Sequence, residues 1–461
     1  MLRYAGAAWH EAEEQDEVTL RALRSPRRSL PAGTLFRNGP GSFSVGAARL
    51  HPLDGYGFVR RFRLDGGTVR YAARFVETHD RAREVAERRL LYRGLGTPAQ
   101  SASGRLRPRF RNSANTNVVM TPEGLLALWE GGPPHVLDPD SLATRGVSSL
   151  GLLGRSAIDP LSWIVGDTAP LGAHTASDDR GTYGFGVCPG LPFQLRIYQL
   201  SAPRRCLHSV SMPGFPLIHD MGVTPSYFVF LVPSLEFRLV DLLRGSPLQS
   251  LREGGGPMQL LLVHRETGAP STIPLTPGFA FHMAQVAEEA GRIRVDAFVS
   301  DALLDPGDTS RLFGPDSRRV LARPVRFVAD LRTGTVETYR LSDFFGEFPT
   351  SSDDESGRPG VIYYASAPKS REVPYLSGVA RLDSSTGDVV FRDMYPWFVG
   401  EPVPVRRGSA RGEVSLLVVR TDPLARRTEL LSLHGPTLET EGIWSLPQAV
   451  PPDFHGMWAQ H

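Results

Sequence analysis

The sequence predicts an all-β propeller wound around one axis, and three observations carry that expectation. The chain has 461 residues, more than one conventional core supports. Glycine and proline punctuate it from end to end, and its apolar runs alternate with period two around short polar turns.

Length alone favours two or three domains, unless the architecture is a repeat that grows around an axis. The 39 prolines and 47 glycines are spread rather than clustered, a pattern that suits many short strands better than long helices. Four segments share one local grammar: "FVRRFRLDGGTVRYAARFV", "LLVHRETGAPSTIPL", "RFVADLRTGTVETYRL" and "VARLDSSTGDVVFRDM". Each is an apolar alternating run, a turn containing Gly-Gly or Thr-Gly, and a second run, which reads as a hairpin. The later turn glycines, Gly268, Gly334 and Gly387, lie 66 (334 − 268) and 53 (387 − 334) residues apart. Blades of about four strands with variable loops produce such irregular recurrence. The residues therefore predict one propeller of six to eight blades, with residues 1–461 forming a single domain. "AEEQDEVTLRALR" near the start and "DRAREVAERRLLYRG" from residue 80 are expected to form short helices by composition and charge spacing.

Composition excludes several functions. The 51 basic residues nearly balance the 49 acidic ones, and Lys369 is the only lysine. No glycine-rich phosphate loop ends in lysine, and a Schiff-base mechanism would have to rest on Lys369. "RSPRR" and "RPRFR" are too short and isolated to form a nucleic-acid surface. Cys188 and Cys206 are the only cysteines, too few for a disulfide framework, so a reduced cytoplasm is expected. The N-terminus turns acidic before an apolar segment of signal-peptide length develops, and no run of about eighteen apolar residues is long enough to span a bilayer.

Most of the twelve histidines lie in polar or proline-flanked surroundings, His51 and His135 among the latter. Four share another context. His174 in "PLGAHTASDD", His219 in "FPLIHDMGVT", His282 in "GFAFHMAQVAEE" and His455 in "PPDFHGMW" each end an apolar stretch, at separations of 45, 63 and 173 residues. Singly, each reads as a hydrogen-bonded structural residue. Jointly, they fall on different hairpins whose inner strands converge on the propeller axis, where four neutral imidazoles make a metal site.

The words around these histidines form an ordered set. "GTLFRNGPG" (33 to 41) is followed by "HPLDGYGFVRRFRLDGGTVRYAARFVET", "NTNVVMTPEGLLALWEGGPPHVLDPDSL", the histidine segments, "GEFPTSSD", "GEPVPV" and the terminal "FHGMW". In that set the chain resembles the carotenoid cleavage oxygenases, a family that includes apocarotenoid oxygenases, stilbene oxygenases and the retinoid isomerase of the eye. The resemblance implies seven blades, with short helices and loops forming a cap over a metal axis. It implies that His174, His219, His282 and His455 bind Fe(II), and that Glu130, Glu347 and Glu401 accept hydrogen bonds from the outer nitrogens of three of them. A ligating imidazole needs such an acceptor to fix its tautomer and ring orientation. It also implies that Thr116 sits beside an open coordination position, and that Trp129, Phe281 and Phe348 line a substrate tunnel. In a regular strand the neighbour of a site residue points to the opposite face, so these aromatics reach the tunnel only where the strand is broken.

The expected activity is insertion of dioxygen across a carbon–carbon double bond of a carotenoid or apocarotenoid, giving two carbonyl products. The alternatives are cleavage of a stilbenoid, isomerisation of a retinoid ester, and a non-catalytic propeller that serves as a binding module. Stilbene-cleaving relatives commonly carry a lysine where Trp129 stands, which favours the polyene. The sequence departs from the family at Tyr56, where an acidic residue is frequent, and in the words after His174 and His282. Such words border the tunnel and bear on substrate choice. A lipid substrate implies peripheral contact with a membrane by a cytoplasmic protein, with residues 159–172 and 225–237 as candidate apolar patches.

Overall fold

Each of the four hairpins predicted from its turn glycine forms. The strands Tyr56–Gly66 and Thr68–Phe75, Gln259–His264 and Pro270–Pro274, Arg323–Asp330 and Val336–Arg340, and Gly378–Asp383 and Val389–Asp393 pair antiparallel. Gly268, Gly334 and Gly387 adopt φ of 71°, 70° and 81°, the left-handed region a tight turn requires and only glycine enters without strain. The computed structural model describes residues 7–26, 28–100, 110–148, 170–188, 192–238, 240–241, 245–303, 320–351, 360–368, 376–407 and 414–461.

These hairpins lie in four of the seven larger antiparallel sheets, which are arranged as the blades of one propeller. Their innermost strands are Gly456–Gln460 in blade I, Asn117–Thr121 in II, Thr175–Asp178 in III, Gly222–Val223 in IV, Phe279–Glu289 in V and Phe345–Ser351 in VI. Blade VII presents two short inner segments, Phe398–Val399 and Val403–Arg406.

Successive residues of a strand face opposite neighbours, so the apolar core is divided into layers between blades. Phe228 and Phe230 pack toward blade III with Phe185 and Ile197, whereas Val229 and Leu231 pack toward blade V with Val295 and Phe327. A strand buried on both faces reads as a continuous apolar run rather than an alternating one. That is why "YFVFLV" looks uniformly apolar, and the middle of the candidate patch 225–237 is core: Phe228, Val229, Phe230 and Leu231 are all buried. The other candidate patch falls largely on residues 159–169, outside the described residues, as does Lys369.

The first predicted helix is instead two strands. Gln15–Thr19 adds an outer strand to blade I, and Arg21–Arg24 adds one to blade VII. Their charged side chains suit an exposed edge, and pairing with preformed sheets overrides the helical composition. Since the strands Leu30–Ser42 and Gly456–Gln460 pair within blade I, the two chain ends interlock blades I and VII. The second predicted helix forms over His79–Glu87, with Thr78 capping its N-terminus. His135, expected in a loop, is buried in the strand His135–Leu137, where burial pushes its pKa down to about 4.

Candidate metal centre

Inner strands converge at one end of the axis, and each blade delivers one residue there. His174 and His455 immediately precede the inner strands of blades III and I, and His219 stands three residues before that of blade IV. These histidines open their strands rather than closing the preceding ones, as the apolar stretches suggested. His282 lies inside the inner strand of blade V, where the register shifts between Ala280 and Met283. A bulge there re-aims the side chain toward the axis. Blades II, VI and VII contribute Glu130, Glu347 and Glu401.

The four imidazoles meet through their Nε2 atoms. His174 and His219 are 3.1 Å apart, His219 and His282 3.1 Å, and His282 and His455 3.2 Å. All four nitrogens lie within 4.8 Å of one another. Their outer nitrogens face carboxylates: His282 Nδ1 donates to Glu347 Oε2 at 2.8 Å, and His455 Nδ1 to Glu401 Oε1 at 2.9 Å. His219 Nδ1 lies 2.9 Å from Glu130 Oε1. In His282 and His455 the Nδ1 proton is engaged outward, so Nε2 presents a lone pair inward. Lone pairs this close repel unless a cation lies between them. An ion about 2.1 Å from each nitrogen would hold donors at right angles about 3 Å apart, which matches the observed spacings. An all-imidazole donor set suits iron, copper, nickel or zinc.

Electrostatics fit the same picture. Burial holds His174, His282 and His455 well below the ordinary imidazole pKa, and neighbouring imidazoles add to the effect. They are therefore neutral, the form a metal requires. Burial also opposes charge on His219, but Glu130, with Asp220 and Glu347, outweighs it and raises the pKa. Burial pushes Glu347 up to about 8 against the His219 charge and the Phe348 N–H. A cation among the imidazoles supplies the charge that would keep this carboxyl ionised.

Behind His455 lies a buried ionic network. Glu401 Oε2 accepts from Arg37 Nη1 at 2.5 Å and from the Gly456 N–H at 3.0 Å. Arg37 also donates from Nε and Nη2 to Asp453 at 3.2 and 2.8 Å, and Arg60 reaches the same carboxylate at 3.0 Å. Burial works against the Arg37 charge, but Asp453 and Glu401 outweigh it, so the guanidinium stays protonated. The glycine of "FHGMW" is needed because a Cβ on Gly456 would run into the Phe36 carbonyl oxygen.

Thr116 is buried, and its carbonyl oxygen accepts from the His455 N–H at 3.2 Å. Phe281 meets the His219 ring at 5.4 Å between centroids, and Phe348 meets His282 at 5.5 Å and His455 at 5.2 Å. Both depend on broken alternation. Phe281 sits at the bulge, and Phe348 has φ of 57° where the register shifts after Glu347. Trp129 is buried against Gly131 and Gly132 in the turn that carries Glu130.

Reasoning from sequence missed Arg37, Arg60 and Asp453, although Arg37 lies in "GTLFRNGPG" and Asp453 in "PPDFHG". Asp220, visible beside His219, was given no role. Its Oδ1 accepts from the Met221 N–H at 2.7 Å and its Oδ2 from the Met283 N–H at 2.8 Å.

A family model described as Retinal pigment epithelial membrane protein matches residues 26–460. The chain belongs to this family of carotenoid oxygenases. Within the family, the apocarotenoid-15,15'-oxygenase of Synechocystis is 32% identical over 460 residues, covering 93% of this chain and 90% of its own length. The rice carotenoid cleavage dioxygenase 7 is 27% identical, over 93% of this chain and 86% of its own. The crystal structure of cobalt-substituted Synechocystis ACO superposes with a TM-score of 0.87 at 29% identity, covering 99% of this chain and 98% of that one.

If Glu347 steadies His282 for a metal, Glu347→Ala is expected to weaken metal affinity about 10- to 100-fold. Chelator competition measures this, and an unchanged affinity would remove Glu347 from that role.

Proposed function

We propose that the chain is an Fe(II)-dependent dioxygenase that cleaves one carbon–carbon double bond of a carotenoid or apocarotenoid to two carbonyl products. The observation that carries this reading is the inward-facing cluster of Nε2 atoms on His174, His219, His282 and His455, with three outer nitrogens set against Glu130, Glu347 and Glu401. Support for the substrate class comes from the Synechocystis and rice relatives, named for apocarotenoid and carotenoid cleavage. The four histidines would hold the ion, and the three carboxylates would keep each outer proton in place. When bound, iron(II) would supply the redox change that dioxygen activation needs and that zinc lacks.

The remaining tasks belong to side chains. Phe281 and Phe348 place aromatic rings against the imidazoles, giving an apolar wall that would orient a polyene and exclude water. Phe281 continues into a cluster with Phe215, Leu217, Leu235, Phe237 and Leu248, which supports an apolar approach for a substrate drawn from a bilayer. No helix among the described residues is long and apolar enough to cross a membrane, so contact with lipid would be peripheral. Trp129 offers no cation for a phenolic hydroxyl, which favours the polyene over a stilbenoid. The overall change breaks one C=C and one O=O bond and forms two C=O bonds. No general base and no outside electron are required, and Thr116, whose carbonyl oxygen accepts from the His455 N–H, would stand beside an open coordination position.

Anaerobic loading with iron(II), followed by carotenoids and apocarotenoids under labelled dioxygen, tests the proposal. Two carbonyl products, each carrying one labelled oxygen, are expected. Isomerised substrate with no uptake of dioxygen would contradict it.

A further inference from the structure

The three glutamates leave one histidine unaccounted for. Among the described residues, His174 has no glutamate at its outer nitrogen, and the carboxylate beside it is Asp220, whose Oδ1 lies 3.7 Å from His174 Nδ1. That distance is longer than a hydrogen bond, but a partly buried carboxylate there still favours the tautomer with its proton on Nδ1. The same oxygen is fixed by the Met221 N–H, and the other oxygen reaches from blade IV to the Met283 N–H in blade V. Met283 follows His282 at the bulge, where the regular ladder is interrupted. Asp220 itself follows His219. One side chain thus accepts from N–H groups near two of the histidines and lies 3.7 Å from a ring nitrogen of a third.

We propose that Asp220 is a positioning residue that sets the mutual spacing of His174, His219 and His282, clamping the bulge of blade V to the segment before the inner strand of blade IV. The inference rests on the four-histidine reading of the metal centre and deepens it. Each glutamate meets the ring of one histidine, whereas Asp220 lies among three of them. Two N–H donors need two acceptor oxygens, so asparagine cannot replace it: one of its termini is an amide NH2 that cannot accept.

The test uses cobalt(II) as the probe, added to metal-free wild-type protein and to Asp220→Asn. For the variant, cobalt affinity is expected to fall about 10- to 100-fold, and the visible absorption of the bound ion to change in position and intensity. A purely structural role would lower thermal stability without moving the spectrum, and that result would overturn the proposal. So would wild-type affinity in the variant. Wild-type protein that takes up no cobalt would instead overturn the four-histidine reading, and this inference with it. A measurement needing no variant stands beside these: in metal-free wild-type protein the Met221 and Met283 amides are expected to resist hydrogen exchange, and rapid exchange at Met283 would remove the clamp.

Discussion

Replacing His219 with alanine is expected to abolish both metal retention and turnover while leaving the propeller folded. His219 Nε2 contacts the Nε2 atoms of two other histidines, His174 and His282, so its loss opens the middle of the cluster. Three donors on separate blades then remain, one short of the set. Losing an outer partner weakens metal binding by about 10- to 100-fold, so losing a donor itself should exceed the upper end of that range. The histidine precedes its strand rather than pairing within it, and each interblade apolar layer stays intact, so circular dichroism and thermal unfolding of the metal-free protein should change little. Full metal content in this variant would remove His219 from the site.

The second large effect is expected from Arg37→Met. Arg37 is buried, joins Glu401 and Asp453, and also donates to the Phe454 carbonyl at 3.0 Å. Methionine fills much of the volume but leaves two buried carboxylates short of a counter-charge, with only Arg60 still paired to Asp453. Removing one partner of a buried pair costs about 3–5 kcal/mol, a large share of the roughly 5–15 kcal/mol that separates folded from unfolded states. The loss falls where the first and last blades interlock. Strand Leu30–Ser42, which carries Arg37, pairs with the C-terminal strand that follows His455, so ring closure and the His455 setting should weaken together. Denaturant unfolding of the metal-free variant measures the first effect and chelator competition the second. A stability change below about 1 kcal/mol would show that the network is not a main support of closure.

The fold was legible because its signals are local. A hairpin announces itself through a glycine that must take positive φ, as at Gly268, Gly334 and Gly387, and through the period of its flanks. Blade number is not local, and the residues alone left six to eight; the family resemblance narrowed that to seven. Gln15–Thr19 and Arg21–Arg24 were misread as helix because edge strands carry charged side chains, and nothing nearby announces the distant sheets that complete them.

The site was legible to different depths. Histidine is rare enough that four at the ends of apolar stretches stand out, although sequence put them after strands and the structure puts three of them before. Glu130, Glu347 and Glu401 carry no comparable mark and were reached only through the family's words. Asp220 and Asp453 were missed for a physical reason: a carboxylate that serves backbone N–H groups or a distant arginine has no characteristic spacing in sequence. Their partners are Met283 in the next blade and Arg37 at the other end of the chain. Phe281 and Phe348 reach the imidazoles because the bulge and a left-handed residue break the alternation that would have turned them away.

The claim on which the account turns is that one ion is held among four imidazoles at the propeller axis. X-ray absorption on protein loaded anaerobically with one equivalent of iron(II) tests it most directly. The account predicts an inner shell dominated by imidazole nitrogens, numbering four from the protein, with the outer-ring scattering typical of histidine. An inner shell of oxygen donors alone, or iron that elutes from the wild-type protein as freely as from a variant lacking His219, would contradict it.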